Sequence, residues 1–347
     1  MLLTIPFPSW LSPEIIPGLP FRWYGLMYLL AFGTAFLLYR RQVRERHFPM
    51  GEEELSGLFF WGILALLMGA RLVATLVYET SNIYLRRPYL IFWPFRDGKF
   101  TGLQGMSYHG GVIGGIAAIL LYSRFKRFDY REIGDMFAAS IPLGYTFGRL
   151  GNFINAELYG RVNTGPLGMV FPHAQELSAS EPWVRDAAER AGISLSGAMV
   201  NLPRHPSQLY EALFEGVILW LIIWFWRDKK PFKGFLLCLY LWGYGLFRFF
   251  IEYFREPDAD LGYRIELVPH NIPVALGHPW SSFSTGQIFC FLMILLGVLW
   301  FIIASRLPDR EPVRLYPDSG ALPPGISPGE KESARKRRRR LRKKLQG

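Results

Sequence analysis

Apolar stretches of about twenty residues alternate along this chain with short polar segments rich in Lys and Arg. A helix of that length can cross the hydrocarbon core of a bilayer. Seven windows qualify, at about 20–39, 56–78, 103–123, 133–153, 208–226, 234–254 and 285–304. The third is the weakest, because its purely apolar part is short and Gly-rich. Basic residues mark every second connection: Arg40, Arg41, Arg44 and Arg46 in 40–55, Arg124, Lys126, Arg127 and Arg131 in 124–132, and Arg227, Lys229, Lys230 and Lys233 in 227–233. With the basic run Arg335–Lys344, these are the alternate loops of a seven-span chain. Lys and Arg favour the cytoplasmic side, so the N-terminus is predicted outside and the C-terminus inside. The pattern therefore predicts an all-α membrane protein with seven transmembrane helices over 1–304. The longest outer loop, about 154–207, is predicted to form a small extracytoplasmic head with a short helix at Glu181–Ala191. Residues 305–347, rich in Pro, Gly and charge, are predicted to be a mostly disordered cytoplasmic tail. Its basic end suits anionic headgroups of the inner leaflet, and equally suits a plain topology anchor. The sequence has no internal repeat, which argues against inverted-repeat transporter folds.

Composition agrees. Half of the 347 residues are hydrophobic, and 19% are charged against about a quarter in soluble domains. A net charge of +11 would otherwise suggest nucleic acid, but much of it sits in the tail, so no nucleic-acid partner is expected. Cys238 and Cys290, the only cysteines, both lie in apolar runs and offer neither a disulfide framework nor metal-ligand spacing. Residues 1–21 contain no Lys or Arg, unlike the basic start of a cleaved signal peptide.

Polar residues inside the apolar windows are few, and they cluster at one depth. Arg149 lies in Gly148-Arg149-Leu150-Gly151-Asn152-Phe153-Ile154-Asn155-Ala156-Glu157-Leu158-Tyr159-Gly160, at the outer end of the fourth window. A guanidinium near the bilayer midplane costs roughly 2.5–3.5 kcal/mol on insertion scales, and less near the surface. Arg248, Glu252 and Arg255 follow an i, i+4, i+7 spacing at the outer end of the sixth window, with Tyr244 one turn earlier. Tyr24 stands at the outer end of the first window, and His109 opens the third, followed by Gly110 and Gly111. Gly110/Gly114, Gly111/Gly115 and Gly144/Gly148 form small-xxx-small pairs that suit close helix contact. Two Arg residues at headgroup depth match a phosphate, whose oxygens accept paired charge-assisted hydrogen bonds. Glu252 and Glu157 are the acids placed to hold those guanidiniums. Structural readings stay open: an Arg248–Glu252 ion pair, an interhelical hydrogen bond at His109, aromatic-belt positions for Tyr24 and Tyr244, and a buried structural pair for Arg71.

Residues 1–304 contain no Gly-x-Ser-x-Gly elbow and no His-Glu-x-x-His helix. Arg204-His205-Pro206-Ser207-Gln208-Leu209-Tyr210-Glu211 mixes His and Ser but lacks a third orienting group for a hydrolase. At the residues quoted, the chain resembles the bacterial prolipoprotein diacylglyceryl transferase family. Positions 148–160 carry its Gly-Arg-x-Gly-Asn-Phe-x-Asn-x-Glu-x-x-Gly signature without a gap. His109–Gly114 resembles its His-Gly-Gly element, and Arg204–Glu211 its Arg-His-Pro-Ser-Gln-Leu-Tyr-Glu element. The resemblance spans about 20–305, and the basic tail is the chief departure.

The resemblance implies a seven-helix inner-membrane enzyme acting near the outer leaflet, in lipoprotein biosynthesis. It implies transfer of the diacylglyceryl group of phosphatidylglycerol to the lipobox cysteine of a prolipoprotein signal peptide, with release of glycerol 1-phosphate. No metal or organic cofactor is implied. Read as chemistry, such a displacement needs a thiolate and a cation on the leaving phosphate. The expected catalytic residues are Arg149, Arg248 and His109, the last as general base unless the Arg-rich surroundings alone ionise the thiol. Tyr24, Asn152, Asn155, Glu157, Gly160, Tyr244, Glu252 and Arg255 are expected, with the two arginines, to bind substrate. A transporter would continue polar residues to the inner side, yet the inner halves of these windows are almost purely apolar. A Mg²⁺-dependent phosphotransferase would cluster its acids for metal, whereas these pair with Arg.

Overall fold

Each of the seven apolar windows contains helix in the computed structural model, which describes residues 4–16, 18, 21–80, 82–96, 99–100, 105–256, 263–268 and 271–308. In chain order the helices are α1 (Trp23–Glu45), α2 (Glu52–Val73), α3 (Ile83–Arg86), α4 (Tyr108–Lys126), α5 (Tyr130–Ala138), α6 (Ile141–Ile154), α7 (Pro182–Ala191), α8 (Ser207–Glu211), α9 (Leu219–Trp226), α10 (Phe235–Ile251) and α11 (Thr285–Arg306). A π turn, Ala74–Tyr78, prolongs α2, and a second, Ala212–Ile218, joins α8 to α9 in one continuous rod. Glu52–Tyr78, Ser207–Trp226 and Thr285–Arg306 are long and apolar enough to cross a membrane, and Phe235–Ile251 is apolar but shorter. With its several apolar helices, the chain is a membrane protein.

Two results differ from the sequence pattern. The fourth window is broken between α5 and α6. Pro142 in the first turn of α6 cannot donate to the preceding turn, and the Ser140 hydroxyl donates to the Met136 carbonyl. At about 1.5 Å per residue, the 14 residues of α6 reach only about 21 Å. The chain is also not wholly helical between its rods. Short ladders pair β1 (Ile5–Pro6) with β4 (Met169–Val170), β2 (Phe95–Arg96) with β3 (Lys99–Phe100), β5 (Leu177–Ser178) with β6 (Met199–Val200), and β7 (Tyr263–Glu266) with β8 (Ser282–Ser284). Only the first is parallel.

The described residues form two compact units, Met1–Tyr39 with Asp135–Pro308, and Arg40–Gly134. In the second unit α2 and α4 touch backbone to backbone. A Cβ on Gly110 would fall 2.3 Å from the Gly69 carbonyl oxygen, and one on Gly114 2.1 Å from that of Ala65. Larger residues would force the helices apart, which is the ordinary reason for such spacing. Arg71 is buried here and donates to the backbone carbonyls of Ile91 and Gly105 at 2.5 and 3.1 Å.

In the first unit, Ala138, Ala139, Leu219, Ile223 and Leu236 form one apolar core. Beside it the fully buried Asp135 carboxylate accepts from the Gly234 and Leu237 amides at the start of α10, and from Lys230. Three donors on one carboxylate satisfy a charge that would otherwise be too costly to bury. The segment 154–207 holds α7 and a separate small core of Val162, Val184, Ala187, Ala188, Val200 and Leu202. Phe171, Met169, Ala156 and Ala174 form a third cluster against Phe7 and Phe153. The predicted tail lies outside the described residues beyond Pro308.

Candidate active site

Helix α6 ends in the polar motif, and its 3.6-residue turn puts Tyr145, Arg149 and Asn152 on one face. The Arg149 Nε–H donates to the Tyr145 hydroxyl at 2.6 Å, and Nε also lies 2.8 Å from Glu211 Oε2 in an ion pair. Its Nη1 lies 3.3 Å from Asn152 Oδ1. Asn152 in turn donates to Glu157 Oε1 at 2.8 Å, and Asn155 donates to the same oxygen at 3.4 Å. Glu157 therefore reaches Arg149 through Asn152 instead of holding the guanidinium directly. Ala156 and Leu158, on either side of Glu157, have φ of 54° and 56°. Left-handed backbone at residues with a Cβ costs of order 1 kcal/mol or more each and tends to be kept where function needs it. Here it folds the chain back, so that the Glu157 amide donates to the Asn152 carbonyl at 3.0 Å.

The opposing wall comes from the α8–π–α9 rod. Glu211 Oε1 lies 3.2 Å from Arg248 Nη1 on α10, so one buried carboxylate spans both arginines. Arg248 Nη2 meets Glu252 Oε2 at 3.0 Å, one helical turn on. Glu252 Oε1 accepts from the Ser284 hydroxyl at the start of α11. Both terminal nitrogens of Arg248 thus face carboxylates, whereas Arg149 is engaged chiefly through Nε. The Glu211 side chain is 1% exposed, Arg248 13% and Arg149 18%. In so dry a place each charge needs its partner.

The remaining predicted residues surround this core or lie apart from it. The Tyr24 hydroxyl is 3.0 Å from that of Tyr28, and Gly151 packs against Tyr24 and Met27. The Tyr244 ring stands edge-on to Tyr145, 5.9 Å between centroids. Gly160 donates its amide to the His205 carbonyl and pairs by backbone with Arg255. A Cβ there would sit 2.2 Å from the Phe254 carbonyl oxygen. His109 belongs to the other unit, where its Nδ1 lies 2.9 Å from the Tyr78 hydroxyl. Glu211 entered the sequence reading only as the end of a motif, and Tyr145 and Glu215 not at all. Their signal was present: two carboxylates four residues apart inside an apolar window carry a cost that calls for buried partners.

Behind Gly160, the His205 imidazole lies near Asn163 and Tyr210. Burial first, and the Arg161 cation second, push it down to about 4 from 6.5. The folded protein keeps His205 neutral, while the unfolded chain takes up a proton below about 6.5. The stability this neutral form contributes is complete above that pH and is lost as pH falls toward 4. At about 1.4 kcal/mol per unit the loss is of order 2–3 kcal/mol. Thermal unfolding of purified protein should show a midpoint falling between pH 6.5 and 4.5, and His205→Asn should flatten that slope. An unchanged slope would remove His205 as its source.

The sequence is similar to those of known proteins. The profile of the family described as prolipoprotein diacylglyceryl transferase matches residues 13–303. The phosphatidylglycerol–prolipoprotein diacylglyceryl transferase of Treponema denticola is 54% identical, over 87% of this chain and 95% of its own length. The proteins of that name from Treponema pallidum and Chlorobaculum tepidum are 50% and 40% identical. They align over 90% and 89% of this chain, and 99% and 95% of their own lengths.

Proposed function

The chain belongs to the prolipoprotein diacylglyceryl transferase family, and on that premise we propose that it moves the diacylglyceryl group of phosphatidylglycerol onto the lipobox cysteine of a prolipoprotein. It is a membrane transferase of lipoprotein biosynthesis. In the transfer the cysteine S–H loses its proton and sulfur bonds to the terminal glycerol carbon. The C–O bond to phosphate breaks, and glycerol 1-phosphate leaves with the electron pair. The observation that carries this reading is the pair of guanidiniums, Arg149 and Arg248, joined through the Glu211 carboxylate.

The chemistry follows from charge. The phosphate becomes more negative as the C–O bond breaks, so a fixed cation beside it stabilises the transition state more than the ground state. Arg149 takes that part, with Arg248 fixing the field around it through Glu211 and Glu252. Asn152, Asn155, Glu157 and Gly160 hold the headgroup-facing turn. Tyr24, Tyr244 and Arg255 complete the lipid site, and His109 takes the thiol proton. The seven helical windows cross the inner membrane, with the N-terminus and 154–207 outside and the C-terminus inside. The site then lies near the outer leaflet, where a lipid phosphate and an exported signal peptide both arrive laterally.

Reconstitution tests the proposal. Purified protein in liposomes of labelled phosphatidylglycerol should transfer label to a lipobox peptide containing Cys, and little to its Cys→Ser counterpart. Equal labelling of both peptides would rule out the thiolate step, and no labelling of either would rule out the reaction.

A further inference from the structure

Tyr145 and Glu215 have no part in the scheme above, yet both belong to the network around Arg149. The Tyr145 hydroxyl accepts from Arg149 Nε at 2.6 Å and donates to Glu215 Oε2 at 2.5 Å. The guanidinium carbon also lies 4.7 Å from the centre of the Tyr145 ring. Glu215 is fully buried, and its Oε1 lies 3.8 Å from Arg248 Nη1. The Tyr145 hydroxyl also lies 3.3 Å from Glu211 Oε2, so Glu215 is its nearer acceptor, and that hydroxyl holds the inner edge of a guanidinium.

The packing that allows this is specific. Each member of the pair is followed by a contact residue, Thr146 after Tyr145 and Gly216 after Glu215. A Cβ on Gly216 would fall 2.1 Å from Thr146 Oγ1. Only a glycine lets the π turn lie this close to α6, and π turns inside helices are frequent at functional sites. The closeness brings the Glu215 carboxylate to the Tyr145 hydroxyl.

A guanidinium grips an oxyanion through two N–H groups along one edge. Nε donates to Tyr145 and forms an ion pair with Glu211, and Nη2 has no hydrogen-bond partner among the described residues. Nη1 spends one N–H on Asn152 at 3.3 Å, so Nη2 and the second N–H of Nη1 are what remain for a ligand. We propose that Tyr145 and Glu215 are positioning residues, fixing which edge of Arg149 is offered to the anionic phosphate of the lipid. The inference rests on the role of Arg149 given under Proposed function. Without the hydroxyl the guanidinium can turn about its side-chain bonds, and its N–H groups no longer start in line with the charge that develops.

The test is steady-state kinetics of the full-length protein in liposomes, with labelled phosphatidylglycerol and a lipobox peptide. Tyr145→Phe keeps the ring and deletes the hydroxyl. Glu215→Ala deletes the acceptor, and Glu215→Gln restores one. Tyr145→Phe and Glu215→Ala should each lower kcat roughly tenfold to a hundredfold. KM for phosphatidylglycerol should stay within about threefold, since misalignment acts mainly in the transition state. Glu215→Gln should recover most of the loss, and the double variant Tyr145→Phe/Glu215→Ala should be no slower than either single one. Wild-type kcat in Tyr145→Phe, additive losses in the double variant, or no rescue by Gln would overturn the proposal. Should Glu215→Ala fail to fold, Tyr145→Phe, which removes one oxygen, decides alone. An inactive wild-type enzyme would instead overturn the reading of the site, so the two failures are distinguishable.

Discussion

Arg149→Ala is expected to abolish diacylglyceryl transfer while the protein still accumulates in the membrane. Loss of one fixed donor to a developing oxyanion costs roughly 10²–10³ in rate. The cost to folding should be smaller, because Glu211 keeps a second cation at 3.2 Å in Arg248. Deletion of Arg149 thus removes the group whose Nη2 has no hydrogen-bond partner among the described residues, while its main buried neighbour stays paired. Arg149→Lys should restore little. An ammonium is a point charge on a flexible stem and cannot bond Tyr145, Glu211 and a phosphate in one plane. Membrane immunoblots read accumulation, and label transfer to the lipobox peptide reads activity. Disappearance of the protein from the membrane would make Arg149 a structural residue. Wild-type transfer by Arg149→Ala would remove it from the reaction.

How much of this was legible beforehand depends on the range of the interaction. The apolar windows are long, and each contains helix, because hydrophobic length is a local property of the chain. The break before Pro142 was legible only in part. A proline near a helix start is permitted, and the residues before it, Phe137 to Ile141, are mostly apolar. Two-residue ladders such as β1–β4 leave no period to detect, and join positions more than a hundred and fifty residues apart. The polar motif at 148–160 stood out because charge is scarce in an apolar run. What periodicity does not carry is distance between helices. Tyr145 reads as one more aromatic in a membrane segment, and Glu215 as an isolated acid beyond a motif. Their meaning comes from the close approach at Gly216, which sequence spacing cannot supply.

The same argument makes Glu211 the residue whose loss should cost the fold most. It is 1% exposed and carries one arginine on each oxygen, Arg149 at 2.8 Å and Arg248 at 3.2 Å. Truncation to Ala leaves two guanidiniums facing each other without their shared anion, with Glu215 and Glu252 only partly covering Arg248. Breaking a buried pair by deleting one partner costs roughly 3–5 kcal/mol, comparable to the whole margin of a marginally stable domain. Glu211→Ala should therefore lower the thermal midpoint in detergent far more than Arg149→Ala does, and should also lose transfer. Glu211→Gln, which keeps shape and one acceptor, should fall between wild type and Ala in stability and remain poorly active. Adding Arg149→Ala to Glu211→Ala relieves the repulsion, so the double variant should accumulate better than Glu211→Ala alone while staying inactive. That reversal is the decisive measurement, because no account in which Glu211 merely fills space predicts it. A double variant less stable than either single one would show that the two side chains act independently, and that the shared carboxylate does not hold the arginines together.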